Sequence, residues 1–495
     1  MLLRQKSSSE AASPPPRAQK SGQGLSRTSG LDLRSLALFR VMLGAVATYD
    51  LVHRFQDRKA FYGLDGVLPL DAVISLPALP LRVFFLSEAD PLFGTLIGIG
   101  VLAALLLTVG YRSRTMALLC WVLVASLNHR NELVLHAADR LQLLFLLWAC
   151  LLPIGARWSV DAWEIARKRR TPPEESDFHF SVAAVGLHLQ VAVVYFTAGM
   201  LKARHPAWLD GSHLGTTLNR IEFLNAPGMF FRDLTALHVP MTWSVLGVQL
   251  LGACLLLTPW RYTYLRVGTI GVLAALQIGM GAMLNVGLFP WVSIVGLLAL
   301  IPHGFWSSVL GSNAALQGPA LRRGAFSRVR NVVAATLLLI MVVESVNDQL
   351  HIRGGGGFVG DFPSGTNFMQ RWTMFTAHVE TGGWFIVAGI TTQGDTINLL
   401  RGPNAIDWSP PKDPWNDFPN YRWRILLANA LREEWNATHR EAFLRHLRSN
   451  WNLSASEDRR VQEVTLIEMR FSTESPQSLN AAEPVILARL REWDP

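Results

Sequence analysis

The chain reads as an all-α polytopic membrane bundle of about nine transmembrane helices with a C-terminal extracytoplasmic α+β domain. Three observations predict this. Half of the 495 residues are hydrophobic and only 17% are charged. Apolar runs of roughly 17–22 residues, enough to cross a bilayer core, recur through the first two thirds. The last third is instead polar and rich in tryptophan, and its short patterns alternate between strand and helix periods.

Taken in order, residues 1–31 are rich in Ser, Pro, Gly and basic residues with no apolar core. They read as a disordered cytoplasmic tail and not as a cleaved signal. The transmembrane domain follows over 32–347, with spans expected at 35–53, 91–110, 115–129, 140–155, 180–201, 240–259, 266–285, 286–302 and 331–347. The span at 286–302 follows its neighbour through a short turn around Gly287 and Pro290.

With the N-terminus inside, the inner segments carry Arg112 and Arg114, Arg157 with Arg167, Lys168, Arg169 and Arg170, then Arg261 and Arg266, and lastly Arg322, Arg323, Arg328 and Arg330. That alternation satisfies the positive-inside rule and puts residues 348–495 outside. The outer residues Arg54, Arg58 and Lys59 are interspersed with acids. The long loops at 54–90 and 203–239 are expected to contain short interfacial helices capping the outer mouth. In the outer domain, Gly354–Gly357 reads as a linker, Trp384–Ile390 and Val464–Met469 as strands, and 421–449 as helix.

Several functional classes fall away. The net charge of +8 sits in short basic blocks beside apolar segments, which is orientation chemistry and not a nucleic-acid footprint. Cys120, Cys150 and Cys254 all lie inside expected spans and read as small core residues. There is no phosphate-cradling glycine loop, HExxH or paired CxxC, and no metal site is expected. Two sequons, Asn436-Ala437-Thr438 and Asn452-Leu453-Ser454, fall in the region placed outside.

The chemistry-bearing candidate is Lys202, which ends the apolar run from Tyr195 and precedes His205-Pro206-Ala207-Trp208. His188, Tyr195 and Lys202 are spaced by seven and return to nearly one helical face. At about 1.5 Å per residue His188 lies about 21 Å from Lys202, outside any shared small site, and Tyr195 about 10 Å away. Ala198 and Gly199 flank the stripe and admit a second helix or a flat ligand. Two readings of Lys202 stand. Its stem can lie along lipid with the ammonium among headgroups, or the amine can face into the bundle, where loss of water favours the neutral base.

Asn128-His129-Arg130-Asn131-Glu132 arrives on the same side of the membrane. His129 can orient or protonate a bound group there, or the tract can be a polar turn bonding helix carbonyls. Arg40 reads as a structural charge near the inner surface, with Asp50, Asp139 and Arg140 near the outer mouth. Trp208 and Trp243 fit an interfacial belt.

These residues together resemble the HTTM (horizontally transferred transmembrane) family, related to vitamin K-dependent gamma-carboxylase. The match is carried by Leu38-Phe39-Arg40, Tyr49-Asp50-Leu51, Phe61 through Pro69, Asn128 through Asn131, Leu152 through Ser159, Tyr195 through Gly211 and Val286 through Trp291. It continues in Gln370 through Phe375 and Asn420 through Arg424.

The resemblance implies Lys202 as a base that deprotonates a reduced, vitamin K-like quinone, with His129 assisting. Tyr195, Gly199 and Asn128 would line the cofactor site. Oxygen addition would then generate a strong base that opens a substrate glutamate to carbon dioxide. One departure is Gln277, where the carboxylase carries a histidine. Two functions follow from the resemblance: a quinone-coupled oxygenase or carboxylase acting on a secreted or membrane peptide, or a non-enzymatic scaffold for ligand binding or peptide immunity. The expected location is the bacterial inner membrane, as a multi-pass protein in contact with the lipid bilayer.

Overall fold

The first long helix has a start written into its sequence. Asp32 accepts a hydrogen bond from the backbone N–H of Arg34 at 2.8 Å and so caps α1, Leu33–Gln56. Its residue pair, β1 (Leu31–Asp32), is held antiparallel to β2 (Phe178–His179). The Asp32 carboxylate also takes the Arg34 guanidinium at 2.7 Å and the His303 ring at 2.9 Å.

Burial raises the Asp32 pKa, but the Arg34 and His303 hydrogen bonds outweigh it and hold the carboxyl below its ordinary 3.8. A depressed folded-state value means the contribution is full above the unfolded pKa and is lost as pH falls through the folded one. Lowering pH from 6 to 3 is therefore expected to reduce the melting temperature more steeply in wild type than in Asp32→Asn. Parallel slopes would remove the assignment.

The computed structural model describes residues 29–70, 83–85, 90–168, 177–310, 325–350, 370–377, 379–402, 406–411, 418–430 and 437–491. The N-terminal tail to residue 28, Arg169, Arg170, Arg322, Arg323, the Gly354–Gly357 linker and Asn436 lie outside the described residues.

After α1 and the short α2 (Arg58–Tyr62) come α3 (Asp90–Val109), α4 (Ser113–Arg130), α5 (Ala137–Leu151) and α6 (Val160–Lys168). Then follow α7 (Val182–Lys202), α8 (Pro206–Leu209), α9 (His213–Leu218), α10 (Ala226–Asp233) and α11 (His238–Leu256). The bundle continues with α12 (Thr263–Met283), α13 (Phe289–Leu298), α14 (His303–Leu310) and α15 (Ala325–Leu350). Short helices α8 to α10 do occupy the 203–239 loop, as expected of a capping segment.

Among the described residues six helices are long and apolar enough to cross a membrane: α1, α3, α7, α11 with its leading turn, α12 and α15. The pair α13 and α14 makes up to a seventh, bent by 80°. The bend has a cause in Pro302, which lacks an N–H and drives the residue before it out of the helical region. The expected spans at 115–129 and 140–155 are helices α4 and α5, but α5 has 15 residues. Helix α5 is buried among its neighbours, whereas α4 is exposed at Leu118 in its first half, buried from Leu123 onward, and ends in the polar run Asn128-His129-Arg130. The chain is a multi-pass membrane protein whose apolar helices imply a lipid bilayer around them.

Arg40 lies wholly inside, donating to the carbonyls of Ile154 at 3.0 Å and Arg157 at 3.1 Å. It ties the turn after α5 to α1. At the opposite end of α1 the C-terminal region docks. Its sheet has the order β4-β3-β5-β6, all antiparallel, from β3 (Thr381–Thr391), β4 (Thr396–Asn398), β5 (Val461–Ser472) and β6 (Glu483–Leu490). Trp384 faces Met469 in the register. Both predicted strands therefore exist, and the predicted helix appears as α16 (Tyr421–Ala430) and α17 (Ala437–Ser454), with 431–436 undescribed.

The sheet buries Trp384, Ile386, Ile467 and Phe471 against Leu218, Leu224 and Leu284 from the end of the bundle. The helical layer and the sheet thus share apolar contacts and are not two units joined only by a tether.

Candidate functional site

Helix α7 begins at Ser181, whose hydroxyl accepts from the N–H of Ala184 at 3.2 Å. From that start the seven-residue stripe runs along a buried face: His188 is 0%, Tyr195 3% and Lys202 4% exposed. The three do different things. His188 sits between the Leu256 carbonyl at 2.9 Å and the Arg266 guanidinium at 3.0 Å, fastening α7 to the α11–α12 end. Tyr195 and Lys202 line one cavity.

That cavity holds about 210 Å³ and its walls are overwhelmingly apolar. Met241, Met280, Met283 and Met374 contribute flexible thioethers, and Phe289 and Trp372 contribute rings. The polar exceptions are Lys202, Tyr195, Gln277, Gln249, His213 and Thr217. An apolar pocket with a few convergent polar groups is the form that small-molecule sites take.

The Lys202 ammonium position is specified by the C-terminal region. Its Nζ donates to the Met374 carbonyl at 3.3 Å and lies 5.4 Å from the centroid of Trp208. Trp208 in turn donates from Nε1 to the Phe375 carbonyl at 3.1 Å and stacks on His213 at 4.4 Å. Phe375 adopts φ +54°, a left-handed conformation that costs a bulky residue about 1–2 kcal/mol. The two donors from the bundle hold this turn over the cavity. No carboxylate pairs with Lys202 among the described residues.

The amine therefore points inward, and the reading of Lys202 as a snorkelling anchor does not match its burial. Trp208 is 4% exposed and belongs to the site instead of an interfacial belt, whereas Trp243 is half-exposed.

Gly199 admits a helix. A Cβ there would lie 2.8 Å from Leu250 of α11, and Gly199 is not among the lining residues. His129 and Asn128 are buried at the end of α4 but do not line the cavity either. His129 Nδ1 is 3.7 Å from the Glu132 carboxylate. Their neighbours Arg130 and Asn131 donate to the carbonyls of Tyr62, Leu68 and Phe61, which makes this tract the anchor of the 61–68 turn. The cavity wall on that side is Ala137.

Beside the cavity stands a buried ion cluster. Arg54 reaches Asp50 at 3.1 Å and Asp139 at 2.5 Å. Arg422, from α16, bonds the same two carboxylates, the Asp139 contact being 2.7 Å, and also the Val134 carbonyl at 2.9 Å. Asp139 further holds His136 Nδ1 at 2.6 Å. Asp50 and Asp139 thus do share one polar cluster, and its organising cation comes from 283 residues along the chain.

Three contributors to the site carried no signal in the isolated residues: His213, Gln249 and the Met374–Phe375 turn. The turn lies within the resembling tract from Gln370 to Phe375, which was the available clue. Gln277, the departure from the carboxylase's histidine, donates from Nε2 to the Tyr195 hydroxyl at 3.2 Å. Among the described residues no group of His, Cys, Asp and Glu is arranged to hold a metal ion.

No curated protein and no solved structure matches the chain. The family model of the HTTM domain matches residues 29–304, more than half of the chain. That stretch includes the whole of α7 and the cavity walls up to Phe289, and the protein belongs to the HTTM domain family.

Proposed function

We propose that this HTTM-family protein is a membrane enzyme that holds a quinone-like or lipid-like molecule in the cavity and uses Lys202 as its base. The observation that carries the reading is a lysine amine 4% exposed, on the wall of an apolar chamber, with no carboxylate partner among the described residues. The residues suit an apolar ring: Trp372 and Phe289 offer faces, the methionines adapt to shape, and Tyr195 and Gln277 supply polar contacts.

A reduced quinone bound there supplies an acidic hydroxyl and the electrons that oxygen accepts. The chain's part is positional. Giving one N–H to Met374 leaves the lone pair of the neutral amine for the chamber. Trp208 covers its flank, and the apolar walls exclude water that would consume a basic intermediate. His129, outside the lining, enters the proposal as a positioning residue and not as a group touching the ligand.

In orientation, the reading takes α4, α5 and the bent α13–α14 pair as further crossings. The arginine-rich end with Arg112, Arg114 and Arg157 is then cytoplasmic, and the Lys202 end with the C-terminal region is extracytoplasmic, in a bacterial inner membrane. A secreted or membrane peptide is the substrate that this side offers.

The test is hydroquinone-dependent uptake of oxygen or labelled carbon dioxide by purified protein. Lys202→Ala is expected to lower the rate by about 10²–10⁴-fold, and Lys202→Arg, which never deprotonates, is expected not to restore it. Unchanged uptake in the alanine variant would remove Lys202 as the base, and no uptake by wild type would leave a non-enzymatic scaffold, for ligand binding or peptide immunity, as the function.

A further inference from the structure

Gln277 and Tyr195 present an unusual wall. Both are buried, 3% exposed each, and both face the cavity. Gln277 spends its Nε2 on the Tyr195 oxygen at 3.2 Å. Its Oε1 is then a buried acceptor with no partner among the described residues. The Tyr195 hydroxyl accepts that bond and keeps its own proton to donate, with no acceptor given to it among the described residues. Gln249, on the same cavity, carries a second buried Oε1 without a partner among the described residues. Buried amide oxygens normally find a donor, and each one left unmade costs about 1–3 kcal/mol.

The pattern is an acceptor beside a donor, inside apolar walls. A hydroxyl group completes it, since one O–H donates to Gln277 Oε1 while its oxygen accepts from Tyr195. A carbonyl or ether oxygen completes only half of it and leaves the amide oxygen unpaired. Lys202 Nζ donates to the Met374 carbonyl, and the lone pair it keeps as a neutral amine is a separate acceptor on this cavity, which the Gln277 variant distinguishes from the amide oxygen.

We propose that Gln277, with Tyr195, reads a hydroxyl on the occupant of this cavity, so that the site selects an apolar molecule carrying an O–H donor over the same molecule without one. This rests on the cavity being a ligand site, as in the proposed function, but not on any turnover there.

The experiment compares 1-naphthol with 1-methoxynaphthalene, two flat apolar probes that differ in the O–H. Binding isotherms are measured on the full chain in nanodiscs and corrected with protein-free nanodiscs. Wild type is expected to favour the naphthol roughly tenfold, the size of one hydrogen bond to an otherwise unpaired buried group. Gln277→Leu is expected to abolish that preference while holding the ether within about threefold, which also shows that the cavity still forms. Tyr195→Phe is expected to weaken both probes and keep the gap, since either oxygen accepts from Tyr195 and the amide oxygen remains.

Equal binding of the two probes by wild type overturns the proposal without recourse to any variant. So does a Gln277→Leu protein that keeps the preference. A reversed ranking overturns it as well, by showing that the amide turns its N–H to the ligand. These readings are independent of uptake: naphthol selectivity with no turnover sinks the enzyme and spares this inference, and turnover without selectivity does the opposite.

Discussion

Arg422→Ala is expected to lower stability by about 3–5 kcal/mol, because it removes one partner from a fully buried ion cluster. Arg422 is 0% exposed and bonds both Asp50 and Asp139, with Val134 taking another of its donors. Burial alone lowers its pKa, but the two carboxylates outweigh that and hold the guanidinium charged well above its ordinary range. Without it, the two buried acids are left with Arg54 between them and His136 on Asp139.

The same residue fastens α16 to α1 and α5, so the loss is also expected to loosen the C-terminal region that supplies Met374 and Phe375 to the cavity. Thermal unfolding of the purified protein checks the first effect. Binding of the naphthol probe checks the second, since Arg422 touches no part of the cavity. An apolar replacement of the whole cluster is expected to cost far less than the single truncation, because it leaves no orphaned charge. A melting temperature unchanged by Arg422→Ala would mean that the cluster is not buried in the working protein.

Gly287→Ala is expected to cost about 2–5 kcal/mol, from two sources that add at one atom. The residue has φ +63°, where a Cβ is strained whatever space surrounds it. Space is also lacking: the new Cβ would lie 2.6 Å from His136 Nε2 and 2.7 Å from the Tyr421 ring. Neither neighbour is free to retreat, since His136 is held by Asp139 and Tyr421 precedes the clamped Arg422.

Gly268→Ala on α12 is the matched control. It has nothing within 4 Å of the added carbon, and it is expected to be neutral or stabilising by about 0.5–1 kcal/mol. Equal effects at the two sites would show that the turn between α12 and α13 is not the tight approach described.

Much of the scaffold was legible because membrane crossing is a length and composition constraint, which local sequence expresses directly. Six expected spans correspond to helices that meet it. The spans at 115–129 and 140–155 were harder for a physical reason. A helix enclosed by other helices is free to be short, as α5 is, and the buried second half of α4 is free to end in polar residues. The strands around Trp384 and Val464 were readable from β-branched and aromatic runs.

Site residues divide along the same line. Tyr195 and Lys202 were placed on one face by their seven-residue spacing, and the structure puts both on one cavity. The same spacing included His188, which fastens helices elsewhere, since periodicity reports a face and not a partner. His129 was grouped with Lys202 because both reach the same end of the bundle. Sharing an end does not bring two side chains to one wall, and Ala137 stands there instead.

By itself, then, the sequence determined that the chain is a membrane bundle of the HTTM family, that its last third folds as α+β, and that a lysine and a tyrosine share a helical stripe. Tertiary structure alone decided what that stripe faces. The chamber exists because a turn about 170 residues away offers the Met374 and Phe375 carbonyls to Lys202 and Trp208, and because Arg422 holds the C-terminal region in place. Apolar faces are interchangeable as partners, so local pattern says that a face is buried without saying what covers it. Directional bonds between distant residues make that choice.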